Sequence, residues 1–365
     1  MFGWCLLLGV NSILAKKWFL LLVISFFALI GNFFRPFLFG YDSYASWACV
    51  VHGWCETLGW QELFVAFLEV MPPIMILAKI VMVLSLFFSL WACWKIIQLY
   101  FEERIAWISI LFGLGLVPLI VFEFSKFENE LFALPLVFWG LYFLLKREWV
   151  EGVGCFGSSL LFWVWPGYLL NLFGVGGGFI LEKQLFVGML PLFFGIFVLP
   201  LVFFVRNNLL RVFLLVFLVL SFGSGKFVVF LVPFCFIGIA QALQLLEEKQ
   251  YNYNFLWVIA IIMFVGLQYA LFVQQPSVNE MEIVKEAVDL SNDLNLPLQN
   301  DWSYGYWLWF YGYKTKNTPG SGWDMNYDVN NSVVLSMKDL SVVGCEPTSQ
   351  GFSSLTRSMK VWKCN

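Results

Sequence analysis

The sequence predicts an α-helical polytopic membrane protein of about nine transmembrane helices with a small C-terminal α+β domain outside the membrane. Three observations predict it. Apolar residues make up 61% of the 365 positions and charged residues only 12%, against about 25% charged in soluble domains. Apolar runs recur at close to the ~20 residues that a bilayer-crossing helix needs. From Pro276 onward the composition turns abruptly polar, which divides the chain into a transmembrane domain, 1–275, and a small extracytoplasmic domain, 276–365. The net charge of −3 singles out no partner, and without a basic tract or zinc-like Cys/His spacing there is no case for nucleic acid.

The spans follow in order. Lys16 and Lys17 precede the first, residues 18–34, and a cationic flank favours a cytoplasmic N-terminus. The first run reads as a retained span, because no small-residue cleavage site follows Met1. The others are expected at 74–99, 106–122, 131–145, 153–172, 185–205, 209–222, 227–245 and 255–273. Pro166 and Gly167 interrupt the fifth, and the seventh is short. This alternation puts Arg104, Lys146, Arg147, Arg206, Arg211 and Lys249 inside. Outside it leaves one cation per loop: Arg35, Lys126, Lys183 and Lys226. The bias predicts an external C-terminus.

In the first external loop, residues 60–70 space Leu63, Phe64, Phe67 and Leu68 as an amphipathic interfacial helix. Trp47, Trp54 and Trp60 suit a headgroup-level belt. Lys79, inside the second span, is expected to snorkel to the outer surface; the other reading has it bind an anion at the site. In the tail, 278–294 has a helical apolar period, and strands are expected at 296–298, 332–335 and 360–362. An aromatic run, Trp302 to Tyr311, reads as a lid and a binding surface. Cys5, Cys93, Cys155 and Cys235 read as packing residues, and His52 as a solvated or packing residue. Cys49 with Cys55, and Cys345 with Cys364, are candidate disulfides if their regions are external. Asn330-Asn331-Ser332 is an acceptor-type sequon in the tail.

The chemistry gathers around Phe127-Glu128-Asn129-Glu130, between two apolar runs. Carboxylates beside bilayer-spanning segments are expensive to desolvate and point to function. Two of them one residue apart present hard oxygen ligands to a divalent cation. On the expected topology the Asp42 loop, the Glu128/Glu130 pair, the Glu182 loop and the polar tail all lie on one external side. That convergence suggests catalysis or ion binding there.

Four segments resemble, in order, motifs of a known family. Gly40-Tyr41-Asp42-Ser43-Tyr44 resembles F-D-P-Y. Phe127-Glu128-Asn129-Glu130 is similar to Y-D-N-E or a D-x-D variant, and Ile180-Leu181-Glu182-Lys183-Gln184 to S-V-S-E or T-I-x-E. Trp302-Ser303-Tyr304-Gly305 stands where the family has W-W-D-Y-G, and Trp165-Pro166-Gly167-Tyr168 is similar to its W-G-G-Y. The chain thus resembles, over most of its length, the catalytic subunit of oligosaccharyltransferase, a GT-C membrane glycosyltransferase. The resemblance implies a sugar donor on a polyprenyl phosphate or pyrophosphate, such as dolichyl phosphate, and transfer with inversion to an external protein Asn. It implies a divalent cation, Mg²⁺ or Mn²⁺, held by Asp42, Glu128 and Glu130. Asp42 and Glu182 would orient the acceptor amide, Lys226 would meet the donor phosphate, and Trp302, Ser303, Tyr304 and Gly305 would bind the acceptor. Asp301 and Ser303 depart from W-W-D-Y-G, Lys226 stands where the family often has Arg, and the tail is short. Two alternatives stay open: a lipid-donor transferase acting on a hydroxyl or glycan, with Asp42 as general base, and an ion-coupled transporter, whose acids usually lie near the midplane.

Overall fold

The computed structural model describes residues 16–39, 42–55, 62–160, 162, 195–223, 225–252, 254–301, 304–315, 331–336, 338, 340–348, 352–353 and 358–364. The helices before the tail are α1 (residues 16–28), α2 (Asp42–His52), α3 (Glu62–Val70), α4 (Met75–Gln98), α5 (Glu103–Leu116) and α6 (Pro118–Phe124). They continue with α7 (Glu130–Leu145), α8 (Trp149–Leu160), α9 (Gly195–Val198), α10 (Asn208–Gly223), α11 (Val232–Glu248) and α12 (Asn254–Gln274). The tail holds α13 (Val278–Leu294), α14 (Gly305–Phe310) and strands β1 (Leu298–Asn300), β2 (Ser332–Ser336), β3 (Glu346–Pro347), β4 (Phe352–Ser353) and β5 (Ser358–Cys364). Two compact units result. The first comprises residues 1–33, 79–125 and 129–272; the second comprises residues 34–78, 126–128 and 273–365. The second unit therefore takes in, besides the tail, the long first loop.

Among the described residues of the first unit and its flanks, three helical runs are long and apolar enough to cross a membrane. They are α4, the run Phe227–Glu248 that leads through a 3₁₀ turn into α11, and α12 with its continuation. The 24 residues of α4 extend about 36 Å, more than the ~30 Å hydrocarbon core. Glu130–Leu145, Gly195–Phe204 and Asn208–Ser221 are shorter apolar helices. The expected span at 106–122 is instead a pair, α5 and α6, bent by 75°. Pro118 is the reason. Its ring disfavours helical geometry at the preceding residue, and Val117 leaves the helix at φ −125°, ψ 68°. Pro118 then serves as a first-turn residue of α6, where its missing N–H does no harm.

α7 contains a second proline without breaking. Pro135 has no N–H to give the carbonyl of Leu131, one turn back. The hydroxyl of Ser85 on α4 donates to that carbonyl instead. In a membrane interior, where water cannot fill such a vacancy, this substitution keeps the helix whole. Close helix contact also constrains side-chain size: a Cβ on Gly238 of α11 would fall 2.3 Å from the Val198 carbonyl oxygen of α9.

In the second unit, α13 occupies 278–294 as the periodicity predicts. Ser277 and Glu280 form a reciprocal capping box at its start, and Asn295 closes its end in the left-handed conformation, φ 52°. Met281, Val284, Ala287 and Val288 are buried. β1 pairs parallel with β2; β5 runs antiparallel to β2, β3 and β4. β1 begins two residues later than expected, after Pro297, which has no N–H for a ladder. Trp362, Leu340 and Val334 pack around a Cys345–Cys364 disulfide. Cys49 and Cys55 form another. α2 was not legible as a helix: Ser43 to Cys49 are all buried, so it has no polar face to reveal a period.

Ser85→Ala is expected to lower stability by about 1–3 kcal/mol, the penalty of a stranded buried carbonyl. Pro135→Ala in the same background should recover part of the loss by restoring the missing N–H. Unfolding midpoints of the four proteins check both; equal effects of Ser85→Ala with and without Pro135 would contradict the account.

Candidate functional site

The site is built around one hydroxyl of the second unit. Asp42 is the first residue of α2. Its neighbour Ser43 donates from Oγ to the Phe39 carbonyl at 2.5 Å and accepts from the Phe127 N–H at 2.7 Å. Phe39 and Lys126 add a parallel backbone bridge. The segment carrying Asp42 and the segment carrying Glu128 are thereby fastened side by side, although 84 positions separate the bonded residues. Tyr44 donates to the Leu38 carbonyl at 3.1 Å, which folds the segment before α2 back on the helix. From α3, the Phe64 ring meets Phe127 edge-on at 6.4 Å.

The aromatic run forms α14, and it packs on α2. Tyr44 lies edge-on to Trp307 at 6.2 Å and to Phe310 at 5.9 Å. Tyr304 is buried, 5.6 Å from Trp307, and Gly305 opens the helix. His52 approaches the Phe310 carbonyl at 3.4 Å and packs against Trp54, so it is a packing residue that ties the end of α2 to α14. Asp301 accepts from the Ser336 hydroxyl at 2.9 Å and so engages β2. Burial pushes the Tyr311 phenol pKa up, with a smaller contribution from the Glu282 and Asp289 charges; it stays protonated in neutral solution.

Glu128 and Glu130 are both buried, at 8% and 5% exposure. Glu130 is the first residue of α7 in the first unit, where the helix dipole favours a carboxylate. Between them, Asn129 donates to the Phe162 carbonyl at 3.0 Å. Lys79 differs from expectation. It is buried, at 4% exposure, and donates to the Asn32 carbonyl at 2.5 Å. The carbonyl of the 3₁₀ turn Ile30–Phe33 gives its ammonium an acceptor inside the first unit, so it does not snorkel.

Glu182, Trp302 and Ser303 lie outside the described residues, as do the side chains of Asp42 and Lys226; the Lys226 backbone is in the turn Gly225–Leu231. Among the described residues no three His, Cys, Asp or Glu side chains are grouped to hold a metal ion. The residues that sequence reasoning missed are Ser43 and Tyr44. The available signal was their place inside the Asp42 motif. No family model, curated protein or solved structure matches this chain.

Ser43→Ala removes both bonds at the junction and leaves the Phe127 N–H buried without this acceptor. A stability loss of about 1–3 kcal/mol is expected, read by denaturant unfolding. An unchanged midpoint would show that the Phe39–Lys126 bridge alone holds the segments.

Proposed function

We propose that the chain is a membrane glycosyltransferase of the oligosaccharyltransferase type. It moves a sugar or oligosaccharide from a polyprenyl phosphate or pyrophosphate to an external acceptor, the amide nitrogen of a protein Asn. The observation that supports this reading best is the Ser43 junction. Through it the motif segments of Asp42 and Glu128 belong to one body, and the helix that follows Tyr304-Gly305 packs on the same α2. The Lys/Arg asymmetry supports the rest of the arrangement: nine spans, a cytoplasmic N-terminus and an external tail.

In the transfer, the bond from the anomeric carbon to the donor phosphate oxygen breaks. The phosphate leaves with the electron pair, a carbon–nitrogen bond forms on the opposite face, and the amide gives up one proton to the carboxylate that it donates to. Asp42 and Glu182 accept hydrogen bonds from the acceptor amide and orient its nitrogen. Lys226 pairs with the donor phosphate as a point charge. Trp302, Ser303, Tyr304 and Gly305 flank the acceptor. Asp42 and Glu128, with Glu130 two residues further along the chain, are the carboxylates that would hold Mg²⁺ or Mn²⁺. Hard oxygen donors suit these ions, and the burial of Glu128 and Glu130 fits a cationic partner. Bound, the cation offsets charge developing on the departing phosphate.

A second reading has a hydroxyl acceptor, with Asp42 as general base. It is favoured by Ser303 standing where the family has Asp, and by the engagement of Asp301 with Ser336.

One assay separates the readings: purified protein, native lipid-linked sugars, and a sequon peptide beside a Ser/Thr peptide. Product on the Asn peptide supports the first reading and product on the hydroxyl peptide the second; none on either sinks both. A chelator is expected to abolish transfer, with Mg²⁺ or Mn²⁺ restoring it, and Glu130→Gln to lower turnover by at least about tenfold at an unchanged unfolding midpoint. Glu182→Gln is expected to reduce turnover while donor-lipid binding, read by lipid titration, stays at the wild-type level. Wild-type turnover in that variant would leave the loop as a connector.

A further inference from the structure

Away from the acids, the first unit gathers three lysines from three helices. Lys17 stands at the start of α1, Lys95 in the last turn of α4, and Lys146 at the C-terminal cap of α7. Lys17 pairs with Glu103 at 2.7 Å and lies 5.9 Å from the centre of the Trp94 ring. Lys95 lies 4.9 Å from the same ring, which packs on Trp107 at 5.2 Å. Lys146 pairs with Glu148 at 2.7 Å. The charges of Lys17, Glu103 and Lys146 all act on Lys95. The carboxylates are thus divided: Glu103 serves Lys17 and Glu148 serves Lys146. Lys95 is half-buried and donates to the Gln98 side-chain oxygen at 3.5 Å. Among the described residues no carboxylate lies within ion-pair distance of it. The cluster carries one surplus positive charge in a partly desolvated place.

We propose that this cluster binds the phosphate headgroup of an anionic membrane phospholipid. The position selects the ligand. All three lysines sit at the ends of apolar helices, Lys17 and Lys95 against Trp94, which packs on Trp107, and Lys146 over Tyr142; indoles at helix ends mark headgroup level. A basic recess between helix ends at that level takes anionic lipid heads. The Lys95 ammonium supplies the uncompensated charge, and Lys17 and Lys146 reach the other phosphate oxygens by turning away from their exposed carboxylate partners. Such a lipid would tie α1, α4 and α7 together at one end. The proposal rests on the membrane character of the helices and not on the transfer reaction, so the two stand or fall separately.

The test uses the full chain in nanodiscs of equal parts phosphatidylcholine and phosphatidylglycerol, followed by native mass spectrometry of the lipids retained. Wild type is expected to retain phosphatidylglycerol preferentially. Lys95→Gln is expected to cut that preference about fivefold, the effect of one charge at the headgroup surface. Lys95→Arg should keep it, and Lys249→Gln, at the end of α11, should leave it unchanged. If Lys95→Gln fails to fold by circular dichroism, Lys146→Gln at a more exposed position carries the same expectation. Equal retention of the two lipids by wild type, or an unchanged preference in the folded lysine variant, overturns the proposal. Loss of the lipid to excess inorganic phosphate also overturns it, in favour of a site for free phosphate.

Discussion

A single hydroxyl group organises the second unit. Ser43 Oγ gives its proton to Phe39 and takes one from Phe127, which a hydroxyl can do at once because it is both donor and acceptor. Asp42 lies one residue before this oxygen and Glu128 one residue after the bonded N–H. Each is one Cα step, about 3.8 Å, from a bonded residue. The backbone relation of the two acidic segments is therefore set by a bond in which neither acid takes part. Tyr44 passes the same anchoring on to α14 through Trp307 and Phe310.

The apolar helices obey a parallel rule about backbone groups. Lipid offers no substitute hydrogen bonds, so every proline has to be accounted for. Pro118 is accommodated by ending one helix and starting another. Pro135 is accommodated by borrowing the Ser85 hydroxyl, which leaves α7 unbroken. The same residue type thus gives a 75° bend in one place and an intact helix in another. At Pro135 a neighbouring helix supplies the missing donor; at Pro118 one helix ends and the next begins.

This explains what was and was not legible in the sequence. α13 was legible from end to end, because Ser277, Glu280 and Asn295 are local chemical signals and Met281, Val284 and Val288 keep a helical period. α4 and α12 were legible within a residue or two, since long apolar runs have few other outcomes. The bend at Pro118 was not, because summed hydropathy does not register one missing N–H. α2 was not, because a helix buried on every side has no period. Of the candidate site, the acids were legible as expensive residues beside apolar runs. The Ser43 joint was missed: its place inside the Asp42 motif was the only signal, and its partners Phe39 and Phe127 are set by the fold. The burial of Lys79 was equally hidden, because its acceptor, the Asn32 carbonyl, belongs to a turn 47 positions away.

The acids themselves set a last constraint. Burying a carboxylate costs several kcal/mol after relaxation. Glu130 recovers part of this from the start of α7, where a dipole contributes about 0.3–1 kcal/mol and at most about 2 in partly buried settings. Glu128 precedes the helix and sits beyond its first turn. A fold that keeps both acids buried beside its best-anchored segment tolerates a local conflict, and such conflicts concentrate where a sequence answers to function more than to stability. The opposite imbalance at Lys95, a partly buried cation with no described carboxylate within ion-pair distance, follows the same logic. At Lys95 the charge left over after the lysine–carboxylate pairing is the one that a ligand from outside the chain is suited to meet.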